Sequence, residues 1–145
     1  MADYELSHDP SRLQIDRVHR ALAASYWSPG IRREVVERAI AGSLVVGAYD
    51  PATGEQVAFA RVVTDRATFA WLCDVYVEEA HRGAGLGKRM IEALLADPRL
   101  QTLRRWCLAT KDAHGLYARY GFQPVPAERW MEKLLPKRAW SQDDR

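Results

Sequence analysis

Alternating glycines give this chain its clearest chemical signal, in the stretch RGAGLGK at residues 82–88. Glycine lacks a Cβ, so a turn built in this way exposes several backbone N–H groups. The apolar spacing after it predicts a helix, whose first turn adds unpaired N–H groups and the positive end of its dipole. This combination is suited to binding a phosphate or a pyrophosphate.

The spacing of the glycines narrows the kind of phosphate site. A Walker loop needs one more residue before Gly87-Lys88 and a Ser or Thr where Arg89 follows. A dinucleotide fingerprint needs GxGxxG, whereas these glycines follow GxGxG. The pattern that does fit is Arg-x-x-Gly-x-Gly, written Arg82, Gly85 and Gly87. A glycine-rich loop without a ligand remains the structural alternative.

This Arg-x-x-Gly-x-Gly pattern resembles the acyl-CoA-binding motif of the GNAT-type N-acetyltransferase superfamily. A second stretch resembles the later signature of that family: Ala113, Tyr117 four residues on, and then Gly121-Phe122. One departure is Thr110, which stands where the family usually has Asn. The two motifs occur in the family's order, and the resemblance covers roughly residues 44–122.

The resemblance implies an α+β fold in three layers, with a central mixed, mostly antiparallel sheet and helices on both faces, as a single domain over residues 1–145. It also implies acetyl-CoA as the cofactor and direct transfer of the acetyl group to a primary amine. In the family, the strand before the glycines holds the pantetheine arm and the loop holds the pyrophosphate. The cofactor-binding residues implied here are Val75, Tyr76, Val77, Arg82, Gly83, Ala84, Gly85, Leu86, Gly87, Lys88 and Tyr117.

By the same resemblance, Tyr117 is the general acid that protonates the departing thiolate. A phenol with a pKa near ~10 is protonated at neutral pH and can donate to a thiolate whose conjugate acid has a pKa near ~8.5. Tyr120 is the rival on the same predicted helix, but it lacks the motif spacing.

The general base is less constrained by the sequence. Deprotonating a lysine-like amine at pH 7 costs about 4–5 kcal/mol, which favours a base or an ordered water chain. Asp74, on the strand before the glycine loop, is the candidate, and a solvated or salt-bridged strand carboxylate is the structural alternative. Asp65, Glu78 and Glu79 are further candidates.

For the acceptor site, the resemblance points to Tyr26 and Trp27, beside the Pro29-Gly30 break between the first two predicted helices. An aromatic-lined pocket could also draw on Phe69, Trp71, Tyr76 and Trp130. The acceptor, a small-molecule amine or a protein amine, is not readable from the sequence, and neither is the length of the acyl group. A non-catalytic module that binds or senses acyl-CoA is the alternative function.

Apolar periodicity predicts the elements that position these residues. Strands are expected over residues 4–7, 43–50, 56–65, 69–77 and 105–110, the last parallel to the strand before the glycines. Helices are expected over residues 10–25, 32–41 and 85–96, with a short one carrying Tyr117. Two further strands are expected from Phe122 and over residues 130–134, and a frayed tail over residues 136–145.

Composition excludes several function classes. A net charge of +2 is too small to favour nucleic acid, and no apolar run approaches the ~20 residues of a membrane span. Cys73 and Cys107 lie in apolar strand contexts, which disfavours a disulfide framework or a metal site. A cytoplasmic location follows by default, and a homodimer remains open.

Overall fold

The alternating apolar stretches form one five-stranded sheet in the computed structural model, which describes residues 3–143. The strands are β1 (Glu5–Ser7), β2 (Ser43–Tyr49), β3 (Gln56–Thr64), β4 (Phe69–Val77) and β5 (Arg105–Leu108). They lie in the order β1-β2-β3-β4-β5, in which the first four pair antiparallel and β5 pairs parallel to β4. The predicted mostly antiparallel sheet and its one parallel pair of strands are therefore confirmed.

Helices cover both faces of the sheet. Within the described residues they are α1 (Ile15–Ala23), α2 (Arg33–Ala41), α3 (Leu86–Leu95) and α4 (His114–Ala118). Alternate residues of β2 divide between two apolar cores: Leu44 and Val46 pack with α3, and Val45 packs with α1 and α2. The predicted three-layer α+β fold is confirmed. No helix within residues 3–143 is both long and apolar enough to cross a membrane.

The first helix is shorter than the apolar spacing predicts. Residues Pro10–Arg12 form a separate 3-10 turn, in which the Asp9 carboxylate accepts a 2.9 Å hydrogen bond from the Ser11 N–H. Leu13 is then extended and buried, so α1 begins only at Ile15. Asp9 therefore caps this turn rather than α1.

The two parallel strands separate halfway along β4. Their pairing runs from Phe69 opposite Arg105 to Leu72 opposite Leu108, where β5 ends two residues before its predicted end. β4 continues to Val77 and keeps its pairing with β3. The second half of β4 therefore has no strand neighbour on the β5 side among the described residues.

A β-bulge lies at the point where the strands separate. Phe59 pairs with Tyr76 and Arg61 pairs with Cys73, so one residue of β3 faces two residues of β4. Asp74 in this bulge has φ 55°, a left-handed conformation that non-glycine residues seldom adopt. Backbone strain of this kind costs about 1–3 kcal/mol and is concentrated at functional sites.

The two last predicted strands are wrong. Between Phe122 and Pro136 the described chain forms a 3-10 turn at Ala127–Arg129 and no strand. The prolines at positions 124 and 126 lack the N–H that a ladder needs. Beyond the turn, Met131 is 95% exposed and Leu134 is 81% exposed, and neither belongs to the two apolar cores.

The prediction of a frayed tail over residues 136–145 is also wrong, at least for residues 136–143; residues 144 and 145 lie outside the described residues. Ser141 pairs with Ile31 in an isolated β-bridge, and the Trp140 carbonyl accepts a 2.9 Å hydrogen bond from the Arg32 N–H. Backbone pairing with the α1–α2 loop thus docks a segment whose polar composition suggested fraying. We call residues 137–143 the C-terminal segment.

Candidate active site

The glycine loop has the geometry of an anion site. Gly85 is the N-cap of α3 with φ 79°, and Gly83 has φ 87°. The backbone N–H groups of residues 83–88 donate to no backbone carbonyl among the described residues. The side chain of Leu86 is 2% exposed and anchors the loop to the core, so this residue can offer a ligand only its backbone. These features fit a pyrophosphate.

The remaining predicted cofactor residues divide between backbone and side-chain roles. The Arg82 guanidinium folds back and donates a 2.9 Å hydrogen bond from Nε to the Val77 carbonyl, whereas Lys88 is exposed. The Tyr76 ring packs against Phe59 in the core beneath α1 and α2, with 6.0 Å between centroids. Burial raises the pKa of Tyr76 well above its usual value. Only the backbone of Tyr76 is therefore available on the β5 side.

Tyr117 lies on α4 with its side chain 9% exposed and its ring edge-on to Phe122, 5.9 Å away. Burial raises the pKa of Tyr117, and the neighbouring Tyr26 adds to the shift. A phenol with a raised pKa stays protonated at neutral pH, as a general acid must. The rival Tyr120 instead donates its hydroxyl to Glu92 on α3, at 3.0 Å.

Thr110, the departure from the family signature, has a structural role. Its hydroxyl oxygen accepts a 3.0 Å hydrogen bond from the Ala113 N–H, immediately before α4. The side chain thus caps the turn that leads to Tyr117. One lone pair of the oxygen is committed to this bond.

Asp74 is held from two directions. Arg61 Nε donates to Oδ2 at 2.8 Å, and Trp27 Nε1 donates to Oδ1 at 2.9 Å. The side chains of this ion pair are 17% exposed for Arg61 and 10% exposed for Asp74. A carboxylate offers about four acceptor positions, so two bonds leave it able to accept more.

Tyr26 and Trp27 lie beside the candidate base. Their rings meet edge-on at 5.1 Å, and Trp27 donates to Asp74. The Lys111 ammonium, in the loop before α4, lies 5.4 Å from the centroid of the Tyr26 ring. The fold thus brings Tyr26, Trp27 and Asp74 together, whereas Tyr117 lines a different cavity with Trp71 and Trp130.

The other candidate bases are engaged elsewhere. Glu78 forms a 2.6 Å ion pair with Arg17, and Glu79 lies exposed in a 3-10 turn. Asp65 accepts hydrogen bonds from Thr68 and from three backbone N–H groups in the β3–β4 turn, which hold the pKa of Asp65 well below its usual range. None of these three carboxylates lines a cavity with Asp74.

A cavity of about 340 Å³ lies beside Asp74, and we call it the Asp74 cavity. It is bounded by the end of α1, the α1–α2 loop, α2, β3, β4 and the C-terminal segment. Of the predicted aromatic residues only Trp27 lines it; Phe69, Trp71, Tyr76 and Trp130 do not. The sequence analysis missed Arg61 and Trp140 in its wall. A tryptophan in an otherwise polar tail was the available signal for Trp140.

The cysteines are poorly suited to act as nucleophiles. Burial raises the pKa of Cys73 to about 11, and it raises that of Cys107 as well. Neither thiol is therefore ionised to a useful extent at neutral pH. Within residues 3–143, His, Cys, Asp and Glu side chains form no group of three or more that could hold a metal ion.

The sequence profile of the family described as "Acetyltransferase (GNAT) domain" matches residues 41–124. A solved GNAT-family structure from Xanthomonas campestris pv. campestris, assigned as an acetyltransferase, is 48% identical to this chain. It superposes with a TM-score of 0.88 over 94% of this chain and 96% of that one.

Two curated relatives are also named as acetyltransferases. A protein of Gibberella zeae assigned as an acetyltransferase is 31% identical over 81% of this chain and 77% of its own length. Serotonin N-acetyltransferase 2 of Oryza sativa subsp. japonica is 36% identical over 68% of this chain and 51% of its own length. The similarity thus includes both motifs and extends beyond them.

Proposed function

Because the chain belongs to the GNAT family of acetyltransferases, we propose that it moves the acetyl group of acetyl-CoA directly to a primary amine. The rice relative is named for an amine acceptor, which supports amine chemistry here. This chain spans about half of that protein, so the identity of its acceptor is not carried over.

The observation that carries the proposal is the presence of two suitable proton-transfer groups on neighbouring elements. An acyl transfer to an amine needs a proton donor for the leaving sulfur and a proton acceptor for the nitrogen. The Asp74 carboxylate lies on the half of β4 that β5 leaves unpaired, and the buried Tyr117 phenol lies on α4, which follows β5. These positions support the roles of base and acid.

Two groups of residues would hold acetyl-CoA. Backbone N–H groups of residues 83–88, which donate to no carbonyl within residues 3–143, would bind the pyrophosphate. The half of β4 that β5 leaves unpaired, with Val75 and Val77, offers backbone groups to the pantetheine arm. When bound, the thioester supplies an activated acetyl group to the acceptor nitrogen.

The protons in this proposal balance as follows. An acceptor ammonium loses one proton to solvent, through Asp74 or water, and the neutral nitrogen forms the C–N bond as the C–S bond breaks. The nitrogen then loses a second proton, while Tyr117 gives one to the thiolate and is reprotonated. One proton is released for each amide and CoA thiol formed. The raised pKa values of both cysteines support this direct route over one through an acetylated cysteine.

Two measurements test the proposal. Isothermal titration should give binding of acetyl-CoA and none of ATP or NAD, and thiol release should depend on an added primary amine. Tight acetyl-CoA binding without thiol release for any amine would favour a sensing module instead. The absence of acetyl-CoA binding would overturn both functions.

A further inference from the structure

The Asp74 cavity has apolar walls and one compensated pair of charges. The apolar wall includes Leu22, Ile31, Val35, Val36, Ile40 and Phe59. Its charged lining residues are Arg61 and Asp74, which bind each other. A second charge on a bound molecule would lie against apolar side chains without a partner, which is costly. The walls therefore favour a ligand whose body is uncharged.

The volume of the cavity indicates the size of the body that fits it. At ~30 Å³ for each water in the liquid, a cavity of about 340 Å³ corresponds to roughly eleven waters. An organic molecule that fills it has about ten non-hydrogen atoms by the same measure. This volume is near the lower end of the range for ligand sites.

The polar end of the cavity suits an ammonium group. The Asp74 carboxylate retains acceptor positions after binding Arg61 and Trp27. Arg61 already donates to Asp74 through Nε and to Ser43 Oγ through Nη1, at 3.1 Å. The charges of Arg61 and Asp74 thus compensate each other, and the remaining acceptor positions of Asp74 can still receive the N–H groups of one ammonium.

The C-terminal segment closes the cavity on the side of the α1–α2 loop. Trp140 contributes to the wall, and its carbonyl accepts from the Arg32 N–H. Ser141, 4% exposed, donates its hydroxyl to the Pro29 carbonyl at 2.8 Å. These bonds fix the position of the Trp140 backbone, so the side chain acts as a wall of defined position.

We propose that the Asp74 cavity is the acceptor site and that it selects compact primary amines carrying one positive charge on an apolar body. Asp74 holds the ammonium, and Trp140 packs against the body and limits its length. This inference rests on the proposed acetyl transfer and adds the class of amine that is used. A peptide lysine or a polyamine does not meet these conditions.

A matched set of acceptors tests the selection. We expect 2-phenylethylamine and pentylamine to be acetylated with a kcat/KM at least tenfold above that of cadaverine, which is pentylamine with a second ammonium. We also expect 2-phenylethylamine to bind the CoA-saturated protein in isothermal titration. A higher kcat/KM for cadaverine or a lysine peptide would overturn the inference.

Trp140→Ala tests the wall, and Met131→Ala is its control because Met131 is 95% exposed and lines neither this cavity nor the one that contains Tyr117. Trp140→Ala should raise the KM for 2-phenylethylamine about tenfold or more, since a large aromatic contact is lost. The KM for acetyl-CoA should stay unchanged, which also verifies folding. The ratio of kcat/KM for the longer 4-phenylbutylamine to that for 2-phenylethylamine should rise. Equal amine KM values for the two variants would overturn the role of Trp140.

These results distinguish a wrong acceptor class from a failure of the proposed acetyl transfer. If amines outside the proposed class are acetylated and 2-phenylethylamine is not, acetyl transfer stands and the acceptor class is wrong. If acetyl-CoA releases no thiol with any amine, including the lysine peptide, the proposed function itself fails.

Trp140→Phe, which keeps an aromatic ring, should retain most of the parent affinity for 2-phenylethylamine.

Discussion

The glycine loop and the Asp74 cavity are built in opposite ways. The loop takes its shape from its own glycines and from Arg82, whose side chain bonds a carbonyl only five residues away. The cavity depends on contacts between distant residues: Trp27 reaches Asp74 across 47 positions, and Ser141 reaches Pro29 across 112. A substitution in the loop should therefore affect one ligand, whereas a substitution at the cavity can also alter how its walls are held.

Tyr117→Phe should reduce turnover more than any other single change. The proposed acid acts in the chemical step itself, whereas the two regions each bind one substrate. The change removes one hydroxyl and keeps the ring that packs against Phe122. Turnover should fall by roughly ten- to a thousandfold with little change in acetyl-CoA affinity. Because burial raises the pKa of Tyr117, its phenol stays protonated to a higher pH than the phenol of an exposed tyrosine. Loss of the acid form should therefore reduce parent turnover only at a pH above the titration of a free phenol.

Tyr120→Phe is the matched control for this measurement. Its hydroxyl bonds Glu92 on α3, so its removal should leave turnover near the parent value. Both variants must be compared under conditions in which chemistry limits turnover. Equal turnover for the two variants would mean that water or another group protonates the thiolate.

Asp74→Asn should reduce activity by about ten- to a hundredfold, and most at low pH, where the amine is most protonated. Asparagine tolerates the left-handed conformation at φ 55° and can still accept from Trp27, so the bulge should survive. The measurement is the pH profile of kcat/KM for the amine. A profile parallel to that of the parent would make Asp74 structural.

One complication is that Asp74→Asn leaves the charge of Arg61 without its partner. The double variant Arg61→Gln with Asp74→Asn removes both charges and serves as the control. If the double variant regains parent activity, the single change acted through an unpaired charge. If it remains impaired at low pH, the carboxylate itself takes part in the reaction.

The contrast between the two regions also explains which features the sequence could reveal. Gly83, Gly85 and Gly87 stand at alternate positions, so the loop could be inferred from a short window. Tyr117 was identified by its spacing from Ala113 and from Gly121-Phe122, again a local pattern. Trp140 could not be assigned in this way, because its position depends on backbone pairing with the distant α1–α2 loop.

The same reasoning applies to the two predicted strands that the described chain does not form. Residues 130–134 carry the apolar pattern of a strand, but a strand also needs a neighbour, and the described chain supplies none there. The bulge at Asp74 was equally invisible, since it depends on the register between β3 and β4. Periodicity thus predicts elements, whereas pairing decides which of them form a sheet.

Gly87→Leu separates folding from cofactor binding at the glycine loop. Gly87 lies in the first turn of α3, and a Cβ added there would contact no described atom within 4 Å. Leucine is the better helix former by up to ~0.8 kcal/mol, so thermal stability should hold or rise. Acetyl-CoA affinity should nevertheless fall about tenfold, because the side chain would project where the pyrophosphate must approach. Unchanged affinity in isothermal titration would place the pyrophosphate elsewhere.

Gly30→Ala and Gly54→Ala form the pair that tests the docking of the C-terminal segment. Both glycines have positive φ, at 69° and 75°, so alanine should cost each about 1–2 kcal/mol of backbone strain. At Gly54, in the β2–β3 hairpin, the added Cβ would meet nothing within 4 Å, whereas at Gly30 it would lie 2.6 Å from Ser141 Oγ and Asp143 Cγ. Gly30→Ala should therefore have a lower free energy of unfolding in urea than Gly54→Ala, and it should also displace Trp140. Its KM for 2-phenylethylamine should rise a few fold, while Gly54→Ala should keep the parent KM. Equal stability and equal KM for the two variants would mean that the C-terminal segment does not hold the wall of the cavity in solution.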